Sequence, residues 1–199
     1  MGNKNTLNPN LLSMDKIRLP GAIVIAGNAR NVGKTTLALA LIGKYSARYP
    51  VVGLKVSTLY PDDSSFHGQH TEKDSERSSL FYETCSDRPK DTSRFLKAGA
   101  CDAWYLRSRE SYLKESFLLL MDSIPQHRLI VCESRSIMKL VKPDLFVLIK
   151  KNTMGSMLKD ISDLLPLADV LIHCETDPYD LSFFSRAIEY NGQTWQYNP

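Results

Sequence analysis

The chain has 199 residues, 43% hydrophobic and 24% charged, with 25 Lys and Arg against 22 Asp and Glu for a formal net charge of +3. That balance fits one folded domain with a sizeable core and excludes disordered, collagen-like and coiled-coil chains. No segment gathers the positive excess into a nucleic-acid-binding arm, and no apolar run approaches the roughly 20 residues that cross a bilayer, so neither nucleic acid nor membrane is an expected partner.

Residues 1–19 are Asn-rich and polar, without the apolar core of a signal peptide, and read as a tail on a single domain over 20–199 in a cytoplasmic protein. The first predicted strand, 23–26, runs into GNARNVGKTT, and an amphipathic helix is predicted over 34–48. Strand, glycine-containing loop and helix in that order form the context of a phosphate-binding loop: successive backbone N–H groups turn inward and the helix N-terminus adds positive potential. The candidate nucleotide-binding residues are Gly27, Asn28, Ala29, Arg30, Asn31, Val32, Gly33, Lys34, Thr35 and Thr36. Gly33 lets backbone approach phosphate, Lys34 neutralises the β and γ phosphates and so is a candidate catalytic residue, and the Thr35 hydroxyl is a candidate Mg²⁺ ligand. The glycine that usually precedes the Gly-Lys pair by four stands one position earlier, with Asn28 in its place, so the loop is one residue longer.

A second strand is predicted over 51–56. Residues 57–90 then carry Ser, His, Asp and Pro, with a helical turn expected only near 78–83, and read as a lid or binding loop after the second strand. His67 and His70 with Asp62 and Asp63 form a possible metal cluster there, although solvated loop residues explain them as well and no structural metal is assigned. A helix over 92–97, a strand over 103–106, a helix over 110–122 and a strand over 129–132 come next. RLIVCES ends that strand on Glu133, where a carboxylate holds Mg²⁺ or orders a water, which makes Glu133 a candidate catalytic and metal residue; the competing reading has it cap the segment after the strand, through its neighbours Ser134 and Ser136. Strands over 145–149 and 170–172 and helices over 156–165 and 179–190 complete the pattern.

Strands that are nearly continuous in Val, Ile and Leu are buried on both faces, and their alternation with helices implies an α/β fold: a three-layer, doubly wound, mostly parallel sheet of Rossmann-like P-loop type. Cys85, Cys101, Cys132 and Cys174 have no CxxC spacing and read as reduced thiols. In IHCETD, Asp177 stands where an NKxD motif reads guanine, but Cys174 and Glu175 replace its Asn and Lys, so ATP and GTP both stay open.

The five residues between Gly27 and Gly33 resemble the loop of dethiobiotin synthetase and its relatives, placing the chain by resemblance in the SIMIBI class of P-loop NTPases. That class often carries a second lysine early in the loop, where this chain has Arg30. KDTSRFLKAGA is similar to the D-(S/T)-x-R…AGA segment of the MobB family of molybdopterin-guanine dinucleotide biosynthesis, and the likeness runs from about residue 23 to 150 through GLKVST and VCES. It makes Asp91 and Arg94 candidates for contacting phosphate, metal or a partner; an Asp91 N-cap with Gly99 as the stop of a short helix explains the same residues without function. The MobB histidines after the second strand are absent: Lys55 stands alone, followed by Ser57 and Thr58. The resemblance implies Mg²⁺-dependent binding of ATP or GTP, with hydrolysis or phosphoryl transfer in cofactor metabolism to an unknown small-molecule acceptor or partner protein. A dethiobiotin-synthetase-like ligase or small-molecule kinase and a non-catalytic nucleotide-binding adaptor are the alternatives, and a homodimer is left open.

Overall fold

The computed structural model describes residues 16–59, 77–152, 158–174 and 180–199. In chain order the elements are β1 (Ile17–Gly27), α1 (Lys34–Tyr45), β2 (Val51–Leu59), β3 (Ser78–Tyr82), α2 (Asp91–Lys97), β4 (Asp102–Arg109), α3 (Leu113–Ser123), β5 (Leu129–Glu133), β6 (Val141–Lys151), β7 (Val170–Cys174), α4 (Ser182–Ala187), β8 (Ile188–Tyr190) and β9 (Trp195–Tyr197). Seven strands form one sheet in the order β3-β4-β2-β5-β1-β6-β7, parallel throughout except for β3, and β8 pairs with β9 in a separate hairpin.

Alternation along the strands builds the two cores. Ile23 and Ile25 of β1 face Leu37, Leu41 and Ile42 of α1, with Phe95 of α2 and Trp195 of the hairpin in the same layer. Ala22, Val24 and Ala26 face the other way, toward Phe117 and Leu120 of α3. Each fully buried Ile, Leu or Phe contributes about 1.5–3 kcal/mol relative to an exposed one, which is why the doubly buried central strands carry so little polarity. The result is a three-layer α/β domain with a Rossmann-like arrangement. Among the described residues no helix is long and apolar enough to cross a membrane.

Several elements differ from the sequence expectation. The sheet takes in residues from Ile17, inside the expected tail, because Pro20 and Gly21 are accommodated at an irregularity in the β1–β6 register. There Gly21 adopts φ +73° and its N–H donates to Asp144 Oδ2 at 2.8 Å. Strand β2 continues to Leu59, and residues 78–82 form an antiparallel edge strand rather than a helical turn. That strand is held by cross-strand aromatic pairs, Tyr82 with Trp104 and Phe81 with Tyr105, at centroid distances of 4.6 and 6.1 Å.

No helix forms over the described part of 156–165, which is a strap ending in a single 3-10 turn at Leu165–Leu167. Its polar groups are taken elsewhere: Asp160 Oδ1 accepts Ser162 N–H at 2.9 Å, and Lys159 N–H donates to the Asn28 carbonyl at 2.6 Å. The helix expected over 179–190 shortens to α4 and turns into the β8–β9 hairpin, whose turn runs from Asn191 to Thr194 with Gly192 at φ +95°. Trp195 fixes the hairpin beneath α1, donating Nε1–H to the Gly21 carbonyl at 2.9 Å and meeting Tyr45 edge-on at 4.9 Å.

Candidate functional site

The parallel strands β1, β2, β5 and β6 all present their carboxyl ends to one edge of the sheet, the edge where open α/β sheets take ligands. The glycine loop leaves β1 there. Gly27 has no room for a side chain, since a Cβ would lie 2.6 Å from Val32 Cγ2 and 3.1 Å from the Ile149 carbonyl. Asn31 at φ +56° and Gly33 at φ +89° carry the loop through left-handed conformations into α1. Asn28 fastens the loop to β6: its Nδ2 donates to the Lys151 carbonyl and its Oδ1 accepts the Lys151 N–H, both at 2.9 Å.

Side chains from four elements converge on the face of the sheet that carries α1 and α2. Thr35 Oγ1, in the first turn of α1, donates to Glu133 Oε2 at the end of β5 over 2.7 Å. Asp91 Oδ1, at the start of α2, lies 3.4 Å from the same hydroxyl. The other Asp91 oxygen is ion-paired with Lys55 of β2. Lys34 folds back onto the loop, donating Nζ–H to the Ala29 carbonyl at 2.8 Å. Glu133 is buried, and the capping role that the sequence left open for it is taken by Ser134, whose Oγ accepts the Ile137 N–H at 3.2 Å.

A cleft of about 320 Å³ opens over Lys34, Lys55 and Glu133, whereas Thr35 and Asp91 do not line it. Six cationic side chains line it, Arg30, Lys34, Lys55, Arg135, Lys139 and Lys159, against three acidic ones, Glu110, Glu133 and Asp163. Burial pulls the Lys34 pKa below the ordinary lysine value, an effect that Glu133 opposes and Lys55 and Lys159 reinforce. Burial also disfavours the charge on Lys55, but its bond to Asp91 and the nearby Asp91 and Glu133 charges outweigh that and raise its pKa. The site therefore concentrates positive charge that water alone solvates incompletely, a condition relieved by an anion with several oxygens.

Of the residues singled out in the sequence, Gly27, Ala29, Arg30, Lys34 and Glu133 line the cleft. Asn28 and Val32 are buried in the loop's support, while Asn31 and Thr36 are exposed. Asp91 is not a side-chain cap of α2: it pairs with Lys55, and Arg94 lies 3.6 Å from its other oxygen, exposed at the outer side. Gly99, at φ +106°, does serve as the helix stop. Lys55 is the residue that sequence reasoning passed over. Its signal was a single lysine inside an otherwise apolar buried strand, a position that needs a partner. Asp62, Asp63, His67, His70, Glu175 and Asp177 lie outside the described residues.

The metal donors on offer are oxygens, the Thr35 hydroxyl and the Glu133 carboxylate. Among the described residues no group of three or more His, Cys, Asp or Glu side chains forms a protein-built metal cage. Such a pair suits Mg²⁺, which takes one or two protein oxygens and fills its remaining positions with phosphate and water.

No family model, curated protein or solved structure matches this chain.

Proposed function

We propose that this chain is a Mg²⁺-dependent nucleoside-triphosphate-binding protein of the P-loop class, similar to the MobB family, that hydrolyses ATP or GTP or transfers its terminal phosphoryl group in cofactor metabolism. The observation that carries the reading is the 2.7 Å bond from Thr35 to Glu133. Two residues 98 positions apart, each at the place a P-loop protein assigns to a metal ligand, come into contact beside a loop closed by Gly27 and Gly33.

In this reading the loop N–H groups and Lys34 bind the β and γ phosphates, and Lys34 exchanges its bond to the Ala29 carbonyl for phosphate oxygen. Bound Mg²⁺ would supply neutralisation of the charge that builds on the phosphate oxygens. Thr35 and Glu133 are the residues to hold it, and Glu133 orients the attacking water or acceptor. The cationic lining draws in the polyanion and steadies it against solvent. A cytoplasmic setting suits both the nucleotide and the four cysteines, none of which is in a disulfide.

A ligase or small-molecule kinase is the second reading. It is favoured by the extension of the cleft away from the glycine loop, to Thr58, Glu110, Leu113 and Lys139, where an acceptor finds both charge and apolar surface. Calorimetry with ATP and GTP, each with Mg²⁺, tests the proposal. Binding that Lys34→Ala abolishes while circular dichroism stays unchanged supports it. Equal affinity in the variant, or no affinity in the wild type, sinks it.

A further inference from the structure

We propose that Lys159, on the strap that follows β6, is a polyphosphate-binding cation that engages the phosphate chain together with Lys34, so that the site takes a polyphosphate even without its nucleoside. The inference rests on the P-loop reading above and adds to it a residue outside both the loop and the sheet.

The strap is moored against the site on several sides. The Lys159 N–H donates to the carbonyl of Asn28, the second residue of the glycine loop, at 2.6 Å. Arg135, just past the end of β5, reaches the Asp160 carbonyl and lies 3.8 Å from Asp163. Ile161 and Leu164 are buried in the core on the α3 side of the sheet. The backbone at 159 is thereby fixed beside the loop, while its side chain is exposed and lines the cleft. Little main-chain ordering is left to be done when a ligand arrives.

Most of the cations around the cleft already have protein partners. Lys34 bonds the Ala29 carbonyl, Lys55 pairs with Asp91, Lys139 with Glu110 at 2.7 Å, and Arg135 with the strap. The Lys159 ammonium forms no hydrogen bond or ion pair among the described residues. The carboxylates next to it in sequence are engaged elsewhere, Asp160 with the Ser162 N–H at 2.9 Å and Asp163 beside Arg135. Its electrostatic neighbour is another lysine. Burial is the main reason that Lys34 lies below the ordinary lysine pKa, and the positive charge of Lys159 adds to it. The hydrogen bonds agree with that proximity, because Lys34 rests on the carbonyl of Ala29 and Lys159 is held by the carbonyl of the residue before it.

Two like charges so placed repel each other across the cleft. An anion with several oxygens reverses the sign, since each ammonium then gains a charge-assisted bond. An ammonium carries three donors and no acceptor, which suits phosphate oxygens. Its closeness to Lys34, the phosphate lysine of the loop, places it on the phosphate chain.

The test is calorimetry on the full chain with ATP, GTP and inorganic tripolyphosphate, each with Mg²⁺. Lys159→Met keeps the backbone N–H that bonds Asn28 and removes only the charge, so the urea midpoint should match wild type. The variant should bind tripolyphosphate and nucleotide more weakly by the same factor, about tenfold, the scale of one charge-assisted hydrogen bond. Its affinities should also fall less steeply with added salt, and Lys159→Arg should recover most of the loss. A loss confined to the nucleotide would put Lys159 on the base or ribose. A lowered midpoint with an unchanged salt dependence would make it a packing residue of the strap. Tripolyphosphate that does not bind wild-type protein able to take ATP or GTP would show that phosphate alone does not fill the site. Each of these overturns the proposal. Wild-type protein that binds none of the three defeats the P-loop reading itself, whereas wild-type protein that binds them with affinities untouched by Lys159→Met defeats this inference alone.

Discussion

The side chain of Asn28 continues the β-sheet by other means: it donates to the Lys151 carbonyl and accepts the Lys151 N–H, both over 2.9 Å, as a neighbouring strand would. The contact joins the first turn of the glycine loop to the end of β6 across 123 positions. It occupies the place where a standard loop has glycine, so the additional loop residue is the one that moors the loop to the sheet.

Asn28→Ala removes both bonds and leaves two strand-end backbone groups without their partner. At about 0.5–1.5 kcal/mol for each bond, it should destabilise the protein by roughly 1–3 kcal/mol and loosen the loop. Urea unfolding gives the first quantity and nucleotide affinity the second. A variant with unchanged midpoint and affinity would show that the clamp contributes nothing.

Gly27→Ala tests the closeness of the loop to its support. The new methyl group would stand 2.6 Å from Val32 Cγ2 and 3.1 Å from the Ile149 carbonyl, and the second of these is strand backbone. Overpacking of this kind costs about 1–3 kcal/mol, and the loop is the part able to move. The expected outcome is a lower unfolding midpoint together with loss of nucleotide binding.

How far the site is legible in the sequence depends on the distance over which each signal acts. The loop could be read because β1, Gly27, Gly33 and α1 are contiguous, and the end of β5 because a doubly buried strand is a continuous apolar run that stops at Glu133. The Lys55–Asp91 pair and the Asn28–Lys151 clamp could not, because each depends on which strand lies next to which. The helix expected over 179–190 fails for a local reason as well. Lys44 donates to the carbonyls of Ser185, Arg186 and Ile188 at 2.9–3.1 Å, ending α4, and the turn from Asn191 to Thr194 then returns the chain to Trp195. The edge strand β3 is announced only by the three residues Leu80, Phe81 and Tyr82, too short a run to tell strand from helical turn, and the aromatic partners that hold it lie on β4.

Acid stability should pass through Glu83. Burial alone would raise its pKa, but the Cys85 N–H, the Thr92 hydroxyl and the Arg88 charge together hold it below the ordinary value of 4.5. Its carboxylate ties the segment before α2 to the first turn of that helix, through Thr92 Oγ1 at 3.0 Å, and so supports Asp91. A depressed carboxylate pKa stabilises the fold in full above the unfolded value and loses that contribution as pH falls through the folded one. Glu83→Gln should therefore be less stable than wild type at pH 7, with the gap closing as pH falls below about 4.5, the unfolded reference. Parallel urea titrations across that range measure it. A gap that does not change with pH would assign Glu83 a purely steric role.

Glu133→Gln separates binding from turnover. Glutamine keeps the length and retains an oxygen to accept the Thr35 hydroxyl, which now donates to Glu133 Oε2 over 2.7 Å, so the fold and the loop should persist. What disappears is the negative charge that, on the proposed function, would hold the metal and orient the attacking group. Loss of one positioned catalytic group typically costs about a hundredfold in rate, so kcat should fall on that scale. Nucleotide affinity should stay close to wild type or rise, because a buried carboxylate no longer faces the phosphates. The Mg²⁺ requirement for turnover should shift to higher concentration, as one of the two protein oxygens loses its charge. Steady-state rates over a Mg²⁺ series, set beside calorimetry on the same preparation, distinguish the outcomes. Rates and metal dependence equal to wild type would leave Glu133 as no more than the acceptor that orders Thr35 at the start of α1.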